Sequence, residues 1–231
     1  QQLFAELNQG HRVPFLNLEV EALGPLPGHL SPGDPGVGHQ GPLHLARPDG
    51  QGLSATKTFV LRPGQYSIDV FYDVNNQTPE ALPLAPYAQL VRHWMPVERS
   101  MFDVESYAFR GPAVYDGDKY RKLDIEDEVD QAFSQSVSGG WVASLQHHFV
   151  SAIAPPSTEP YRLALKVEDK DYLLRAVGPT KSVPPGAQAR IEDRLFVGPK
   201  LQAQLEQAGP RLELTADYGK LTILSQPLFW L

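Results

Sequence analysis

Histidine is the residue type in this sequence best suited to metal binding and acid–base chemistry, and the chain contains seven of them. His147 and His148 are the only adjacent pair. On a β-strand, neighbouring side chains point to opposite faces, so we expect that these two rings do not chelate one metal ion. His29, His39 and His44 lie in a glycine- and proline-rich segment without acidic or sulfur ligands at a fixed spacing. The sequence therefore predicts neither a metal site nor a bound cofactor.

Acidic residues are densest in the segment DIEDEVD at positions 124–130. This segment lacks the glycine and the alternating oxygen ligands of a calcium-binding loop, so we expect a solvated acidic surface. Gly139 and Gly140 precede Trp141 without the further glycines of a phosphate-binding loop, and we interpret them as a tight turn beside a large buried aromatic side chain. No GxSxG, HExxH, Walker or dinucleotide-binding fingerprint is present. No residue is therefore nominated as catalytic, and we do not expect an enzyme.

The composition of the 231-residue chain indicates a soluble globular protein, with 42% hydrophobic and 20% charged residues. No apolar run approaches the roughly 20 residues needed to span a bilayer, and the first ten residues do not have the pattern of a signal peptide. The net charge of -7 has the wrong sign for a nucleic-acid partner. The absence of cysteine excludes a thiolate nucleophile, an iron–sulfur cluster, a cysteine-ligated zinc ion and disulfide bonds.

The elements that must position any functional residue are mainly β-strands, because apolar and polar residues alternate in several segments after residue 52. Short turns containing proline, glycine or aspartate separate these segments and indicate two hairpins, 56–61 with 66–74 and 161–168 with 172–177. Further strand-like runs lie at 187–190 and 195–197.

Helical patterns are few. A short amphipathic helix is predicted over Pro199–Ala208, which is followed by the stop signal Gly209-Pro210. Residues 124–133 carry apolar side chains at four-residue spacing, which favours a helical turn or two. Many short strands with one or two helices predict an all-β fold, a sandwich of two antiparallel sheets.

The segment Gly24–Gly52 contains 14 glycines and prolines in 29 positions. Proline removes amide donors and glycine raises backbone entropy, so this composition does not support a helix. We expect a long loop or a poorly ordered excursion.

The C-terminal residues predict a different kind of element. Ser225 is a suitable helix cap, with Pro227 in the first turn, and the apolar run Leu228–Leu231 follows. We expect the beginning of an interfacial or membrane-entering helix with Trp230 at headgroup depth. A terminal segment docked in the core is the alternative.

Six sequence blocks follow one another in an order typical of one known family: TKTFVL (56–61), FRG (109–111), KY (119–120), GGWVASLQ (139–146), FVGPK (196–200) and DYGKLTILSQPLF (217–229). Together they resemble the large periplasmic domain of YidC, the bacterial membrane protein insertase. The resemblance covers residues 55–231.

The resemblance implies a β-supersandwich similar to that of galactose mutarotases, on the periplasmic face of the bacterial inner membrane. It divides the chain into an N-terminal segment with the glycine- and proline-rich loop (1–54), the periplasmic β-sandwich domain (55–226) and the start of a membrane-proximal amphipathic helix (227–231). It also implies that one or two short helices lie near the C-terminus.

The same resemblance implies a role in protein transport. The parent protein acts as an insertase and chaperone for nascent membrane proteins, alone or with the Sec translocon, and this domain contacts the accessory SecD–SecF complex. The family motifs give a structural role to Gly139, Gly140 and Trp141. They give a role in membrane-proximal coupling to Asp217, Tyr218, Gly219, Pro227, Leu228, Phe229, Trp230 and Leu231.

An alternative function is a carbohydrate-binding or mutarotase-like β-sandwich. Such a site needs a histidine and a carboxylate that face each other across a sugar-sized cleft. His93 or His147 with Glu98 or Asp103 are the candidates, but no spacing rule selects among them.

Overall fold

Two β-sheets face each other in the computed structural model, which describes residues 52–94 and 108–216 together with the backbone of strands at 15–19 and 39–41. Within these residues, the helical elements are α1 (Glu128–Gln131), α2 (Gln202–Ala208) and one 3₁₀ helix (Leu212–Thr215). The strands are β1 (Phe15–Glu19), β2 (His39–Gly41), β3 (Leu53–Leu61), β4 (Ser67–Asn76), β5 (Leu82–His93), β6 (Gly111–Tyr115), β7 (Tyr120–Lys122), β8 (Ser134–Ser138), β9 (Trp141–Leu145), β10 (Phe149–Ile153), β11 (Pro160–Glu168), β12 (Asp171–Val177), β13 (Lys181–Val183) and β14 (Gln188–Pro199).

The two sheets differ in size. The six-stranded sheet has the order β1-β5-β12-β11-β8, and β13 pairs with β5 beside this path. The eight-stranded sheet has the order β2-β3-β4-β14-β10-β9-β6-β7. Neighbouring strands are antiparallel, except that β1 runs parallel to β5. The described residues thus form an all-β sandwich with a few short helices, which confirms the predicted fold class.

Both predicted hairpins are present. The first joins β3 to β4 through a turn in which the Gln65 amide donates to the Arg62 carbonyl at 3.1 Å. Gly64 has a φ of 74° in this turn, a conformation that glycine adopts without strain. The second hairpin joins β11 to β12, with Asp169 in the left-handed region at the turn. The sequence pattern therefore identified β11 and β12 inside the six-stranded sheet and β3 and β4 towards one edge of the eight-stranded sheet.

The two runs predicted at 187–190 and 195–197 form a single strand, β14. The charged residues between them break the apolar pattern of the sequence but not the backbone pairing, which continues from Gln188 opposite Asn75 to Phe196 opposite Ser67. Asp193 is buried on the same face as its apolar neighbours along the strand. The interruption is thus a charged residue inside the core.

The helix predicted over 199–208 is confirmed as α2, which begins later because Pro199 is still the last residue of β14. The predicted helical turn within 124–133 is α1. Its first turn is capped by the Asp127 carboxylate, which accepts hydrogen bonds from the amides of Val129 and Asp130 at 2.8 and 3.1 Å.

The expected long loop over Gly24–Gly52 is wrong at three positions. His39–Gly41 forms β2, which pairs with β3 from His39 opposite Phe59 to Gly41 opposite Lys57. A short edge strand needs only backbone hydrogen bonds, so the side-chain pattern gives no sign of it.

The space between the sheets holds the larger hydrophobic cluster. Strands such as β4, β11 and β12 contribute alternate residues to it, as expected for sheets that pack face to face. From the eight-stranded sheet come Val70, Tyr72, Val74, Val142, Ile153, Ile191 and Leu195, and from the six-stranded sheet come Leu84, Ala88, Leu90, Tyr161, Leu163, Leu165, Tyr172, Leu174 and Ala176.

Asn76 closes one end of this core with a fully satisfied amide. Its Nδ2 donates to the carbonyls of Glu80, Val183 and Pro184 at 2.9, 2.8 and 3.1 Å. Its Oδ1 accepts from the amide and the hydroxyl of Thr78 at 3.0 and 2.7 Å. This one side chain joins the end of β4 to the turn before β14.

We predict that Asn76→Asp destabilises the fold by about 3 kcal/mol or more, because it buries a carboxylate oxygen against three carbonyl oxygens. Urea unfolding at pH 7 measures the loss. Asn75→Asp, at the neighbouring half-buried position, is the matched control and is expected to change stability by less than about 1 kcal/mol. Equal effects of the two substitutions would contradict the role of the Asn76 amide.

Candidate functional site

The outer face of the eight-stranded sheet is covered by residues 201–216, which contain α2 and the 3₁₀ helix and are called the helical cap below. Leu205, Ala208 and Leu212 of the cap are buried against the sheet. Their sheet partners are Ala113, Trp141, Ala143, Leu145, Val150, Ala152, Ala154 and Phe196. The cap therefore creates a second hydrophobic core on the side of the sheet that the six-stranded sheet does not reach.

Small residues on the strands allow the cap to lie close to the sheet. Three of the seven strand residues in this second core are alanine, Ala154 follows directly after β10, and all four alanines are buried. Gly209 ends α2 next to Ala154, where an added Cβ would lie 3.1 Å from the Ala154 methyl group. Interiors are packed to crystal-like density, so larger side chains here would push the cap away from the sheet.

Gly139 and Gly140 carry the chain from one sheet to the other in two residues. They follow β8 of the six-stranded sheet and precede β9 of the eight-stranded sheet. Gly139 has a φ of 71°. A Cβ on Gly140 would lie 2.6 Å from the Tyr115 carbonyl oxygen and 2.7 Å from a Val137 methyl group. The crossing thus needs glycine at both positions, for conformation at the first and for space at the second.

Trp141 follows this crossing and lies beneath the cap. Its indole Nε1 donates a hydrogen bond to the Pro210 carbonyl at 2.8 Å. Its ring stacks on Tyr115, with centroids 6.1 Å apart, and lies tilted against Tyr120 at 5.9 Å. The indole thus contacts the sheet through its ring and the cap through its single polar atom, as is usual for a buried tryptophan.

Gln204 fixes the other side of the cap. Its side-chain Oε1 accepts from the Tyr66 amide at 3.1 Å, and its Nε2 donates to the Gly64 carbonyl at 3.0 Å. The first turns of α2 are therefore held to the β3–β4 turn, and the chain after α2 is held to Trp141. Two polar contacts at separate points fix the orientation of the cap.

A polar groove of about 460 Å³ lies beside the cap, lined in part by Asp69, Glu192, Arg194 and Glu206. Asp69 is bridged by Arg194 at 2.9 Å and by Arg62 at 2.7 Å. Burial acts to raise the pKa of Asp69, but the hydrogen bonds and charges of the two arginines outweigh it and hold the pKa below the usual value. This groove thus carries a carboxylate that stays ionised and paired near neutral pH.

The structure brings together only part of the residue set named from the sequence. Gly139, Gly140 and Trp141 lie side by side at the cap. Tyr115, Tyr120 and Pro210 belong to the same site but were not nominated as site residues from the sequence, because their link to Trp141 is contact across the fold. Asp217, Tyr218, Gly219 and the five residues from Pro227 to Leu231 lie outside the described residues.

The paired histidines lie in a bend between β9 and β10 rather than on a strand, so the expectation of opposite strand faces is wrong. The backbone amide of Gln146 donates a hydrogen bond to the Phe149 carbonyl at 2.9 Å, and the chain reverses its direction at this bend. The rings of His147 and His148 meet edge to face, with centroids 3.9 Å apart. Within the part of the chain that the structure describes, no three histidine, aspartate or glutamate side chains are grouped to hold a metal ion.

The sugar-site candidates named from the sequence are only partly described. His93 Nδ1 lies 2.7 Å from Asp171 Oδ1 at the exposed end of β5, and Glu98 and Asp103 lie outside the described residues. Among the residues 52–94 and 108–216, no helix is long and apolar enough to cross a membrane.

Comparison with known proteins identifies the family. A family model described as "YidC periplasmic domain" matches residues 35–231. The membrane protein insertase YidC of Aromatoleum aromaticum is 36% identical over 195 residues, which covers 81% of this chain and 35% of the relative. That of Cupriavidus necator is 40% identical over 188 residues, which covers 78% of this chain and 33% of the relative. The chain thus spans about a third of the length of these relatives.

Solved structures similar to this chain include two described as putative aldose 1-epimerases. The one from Escherichia coli K12 has a TM-score of 0.41 and 12% identity, covering 73% of this chain and 67% of that one. The one from Klebsiella pneumoniae has a TM-score of 0.39 and 10% identity, covering 78% of this chain and 55% of that one.

We predict that Trp141→Phe loosens the cap, because the Pro210 carbonyl loses its donor and the smaller ring leaves a void. The expected loss is about 1–3 kcal/mol, against roughly 3–5 kcal/mol for Trp141→Ala. Hydrogen exchange measured by mass spectrometry should show faster exchange of the amides in residues 202–216.

Tyr115→Phe is the control for this prediction, because it keeps the ring stacked on Trp141 and removes only an exposed hydroxyl contact to the Gly117 carbonyl. Unchanged exchange in the cap of Trp141→Phe would show that the indole does not hold it.

Proposed function

Because the chain belongs to the family of YidC periplasmic domains, we propose that it is the periplasmic part of a membrane protein insertase and chaperone. The parent protein would reside in the bacterial inner membrane and assist the insertion and folding of nascent membrane proteins. The observation that supports this most directly is the family match over residues 35–231, at 36–40% identity to insertases about three times as long.

Within that parent, the proposed role of this domain is non-catalytic docking to the Sec translocon through the SecD–SecF accessory complex. An exposed apolar surface supports a docking role. Phe149, Val197 and Tyr66 are 53%, 43% and 39% exposed and line one groove of about 540 Å³. Apolar side chains that cluster on a soluble domain mark interaction sites more often than single exposed residues do.

The floor of this groove contains polar groups that contact one another. Ser144 and the Tyr172 hydroxyl lie 2.6 Å apart, and burial raises the pKa of Tyr172 against the opposing effects of Ser144 and the Arg92 charge. The Arg92 guanidinium lies against the Gln146 amide. These polar groups would orient a partner whose apolar side chains contact Phe149 and Val197.

The cap supports the second part of the proposal, in which the domain transmits its position to the membrane. Residues 217–231 follow the cap directly, and the cap is held to both the β3–β4 turn and Trp141. A force or constraint that reaches the end of the cap would therefore act on the sandwich. Asp217, Tyr218 and Gly219, followed by Pro227–Leu231, are the proposed coupling residues.

We predict that the chain binds purified SecD–SecF in lipid nanodiscs and that Phe149→Ser weakens binding about tenfold or more, since an anchor at an interface centre contributes disproportionately. Val91→Ser is the matched control, because Val91 is 50% exposed and does not line the groove. Biolayer interferometry with empty nanodiscs as reference gives the affinities. Absence of binding by the unmodified chain would contradict docking, and equal binding by the two variants would contradict this surface.

We also predict that replacing Leu228, Phe229 and Trp230 together with serine lowers the binding of the chain to anionic vesicles at least about tenfold, because each apolar side chain contributes roughly 1.5–3 kcal/mol on burial. Vesicle flotation measures the bound fraction. Val129→Ser, on the exposed surface of α1, is expected to leave it unchanged. Equal flotation of the triple variant would contradict a membrane-proximal role of these residues.

A further inference from the structure

Four ionisable side chains meet in the core between the two sheets, on the opposite side of the eight-stranded sheet from the cap. Lys57 lies on β3, Tyr72 on β4 and Asp193 on β14, whereas Tyr161 lies on β11 of the six-stranded sheet. Asp193 is 3% exposed and Lys57 is 9% exposed. We call these four residues the intersheet cluster. None of them belongs to the cap or to the groove proposed above for docking.

Asp193 is the central residue of this cluster and is poorly compensated. Both carboxylate oxygens are buried, and neither makes a hydrogen bond of standard geometry within the described residues. Tyr161 lies on the facing sheet, and its hydroxyl acts to lower the pKa of the carboxyl group. The Tyr72 hydroxyl is also buried without a hydrogen-bond partner among the described residues. A carboxylate in such a setting is costly to ionise.

The cation in the cluster is held by aromatic rings rather than by a direct ion pair. The Lys57 Nζ lies 4.8 Å from the centre of the Phe59 ring and 5.5 Å from that of Tyr72. Its charge acts to lower the pKa of Asp193, although no salt bridge joins these two described side chains. The cluster thus places one acid and one base in the core, each with incomplete solvation.

Burial dominates the titration of both groups. It raises the pKa of Asp193 to about 7, with Glu192 acting in the same direction and with Tyr161 and Lys57 opposing. It lowers the pKa of Lys57 to about 8, against the charge of Asp193. The pKa values of the Tyr72 and Tyr161 hydroxyls are raised, also chiefly by burial. Lys57, Tyr72, Tyr161 and Glu192 are therefore the groups whose charge or hydroxyl acts on Asp193.

We propose that Asp193 is a proton-responsive residue between the two sheets: its neutral carboxyl group is accommodated in the core, and loss of its proton leaves a buried charge there that weakens the packing of the two sheets. The arrangement carries this inference because the carboxyl group is buried between the sheets and neither of its oxygens has a hydrogen-bond partner among the described residues. A change in the charge of Asp193 therefore acts across the interface that holds the sandwich together.

The direction of the effect follows from proton linkage. The pKa of Asp193 is raised from its ordinary value of 3.8 to about 7 in the folded chain. The folded chain therefore binds this proton more tightly than the unfolded chain does. The contribution of Asp193 to stability is therefore greatest below about pH 4 and is lost as the pH rises to about 7. Lys57 acts oppositely, because its lowered pKa adds stability as the pH rises from about 8 towards 10.5. The cluster therefore contributes least to the stability of the fold between pH 7 and 8.

The test is denaturant unfolding of the whole chain between pH 4.5 and 9, compared with Asp193→Asn. The unfolding equilibrium constant of the unmodified chain should rise with pH relative to that of Asp193→Asn by up to about tenfold per pH unit between pH 5 and 6. Parallel pH profiles of the two proteins would overturn the proposal.

Asp73→Asn is the control. Asp73 is an exposed carboxylate on β4, paired with Arg190 at 2.7 Å, and the Arg190 hydrogen bond is the main cause of its lowered pKa. The Asp73–Arg190 pair stabilises the fold above the usual pKa of an aspartate, and this effect is lost only at lower pH. The unfolding equilibrium constant of Asp73→Asn should therefore depend on pH between 5 and 7 as that of the unmodified chain does.

Carboxyl carbon NMR of the unmodified chain keeps the proposal testable if Asp193→Asn does not fold. A titration midpoint for Asp193 near 7 supports the proposal, and a midpoint near 4 overturns it. Tyr161→Phe removes a hydroxyl that favours the ionised carboxylate, so it should move the midpoint upwards. An unchanged titration midpoint in Tyr161→Phe would overturn the placement of Asp193 opposite Tyr161 between the sheets.

Discussion

The eight-stranded sheet must be covered on both faces along β9, β10 and β14, and the rest of the structure depends on this constraint. All five residues of β9 are buried, whereas a strand at the surface of a sandwich buries every second one. The six-stranded sheet covers one face and the helical cap covers the other. Removal of either layer would expose a continuous apolar surface, so the cap is part of the fold and not an appendage.

This constraint explains which elements could be predicted from the sequence. The strands β3, β4 and β11 have one inward face, so their residues alternate and identify them. β9 shows no alternation, because it is buried on both faces, and a short apolar run does not distinguish a strand from a buried helix. β5 adds Pro83 and Pro86 inside a long strand, which argues against a strand when only the sequence is read.

The site was less predictable than the sheets for a related reason. Gly139, Gly140 and Trp141 attract attention as a motif, but Trp141 binds the carbonyl of a residue 69 positions later. Neither Pro210 nor the stacked tyrosines has a local pattern that links them to the indole. Asp193 is the opposite case, since it lies between Glu192 and Arg194 in a run that indicates solvent exposure. Only the register of β14 against β4 places it in the core.

The two unusual features of the molecule, the covered sheet and the buried acid, are energetically connected. Burying an ionisable group costs on the order of several kcal/mol, which is a large fraction of the 5–15 kcal/mol by which domains are commonly stable. In a sandwich with a single hydrophobic core, this cost would remove much of the free energy of unfolding. Here the same strand that holds Asp193 inside the sandwich places Phe196 in the second core under the cap. The packing of the cap therefore helps β14 to keep Asp193 buried, and the acid is tolerated because its strand is anchored from both sides.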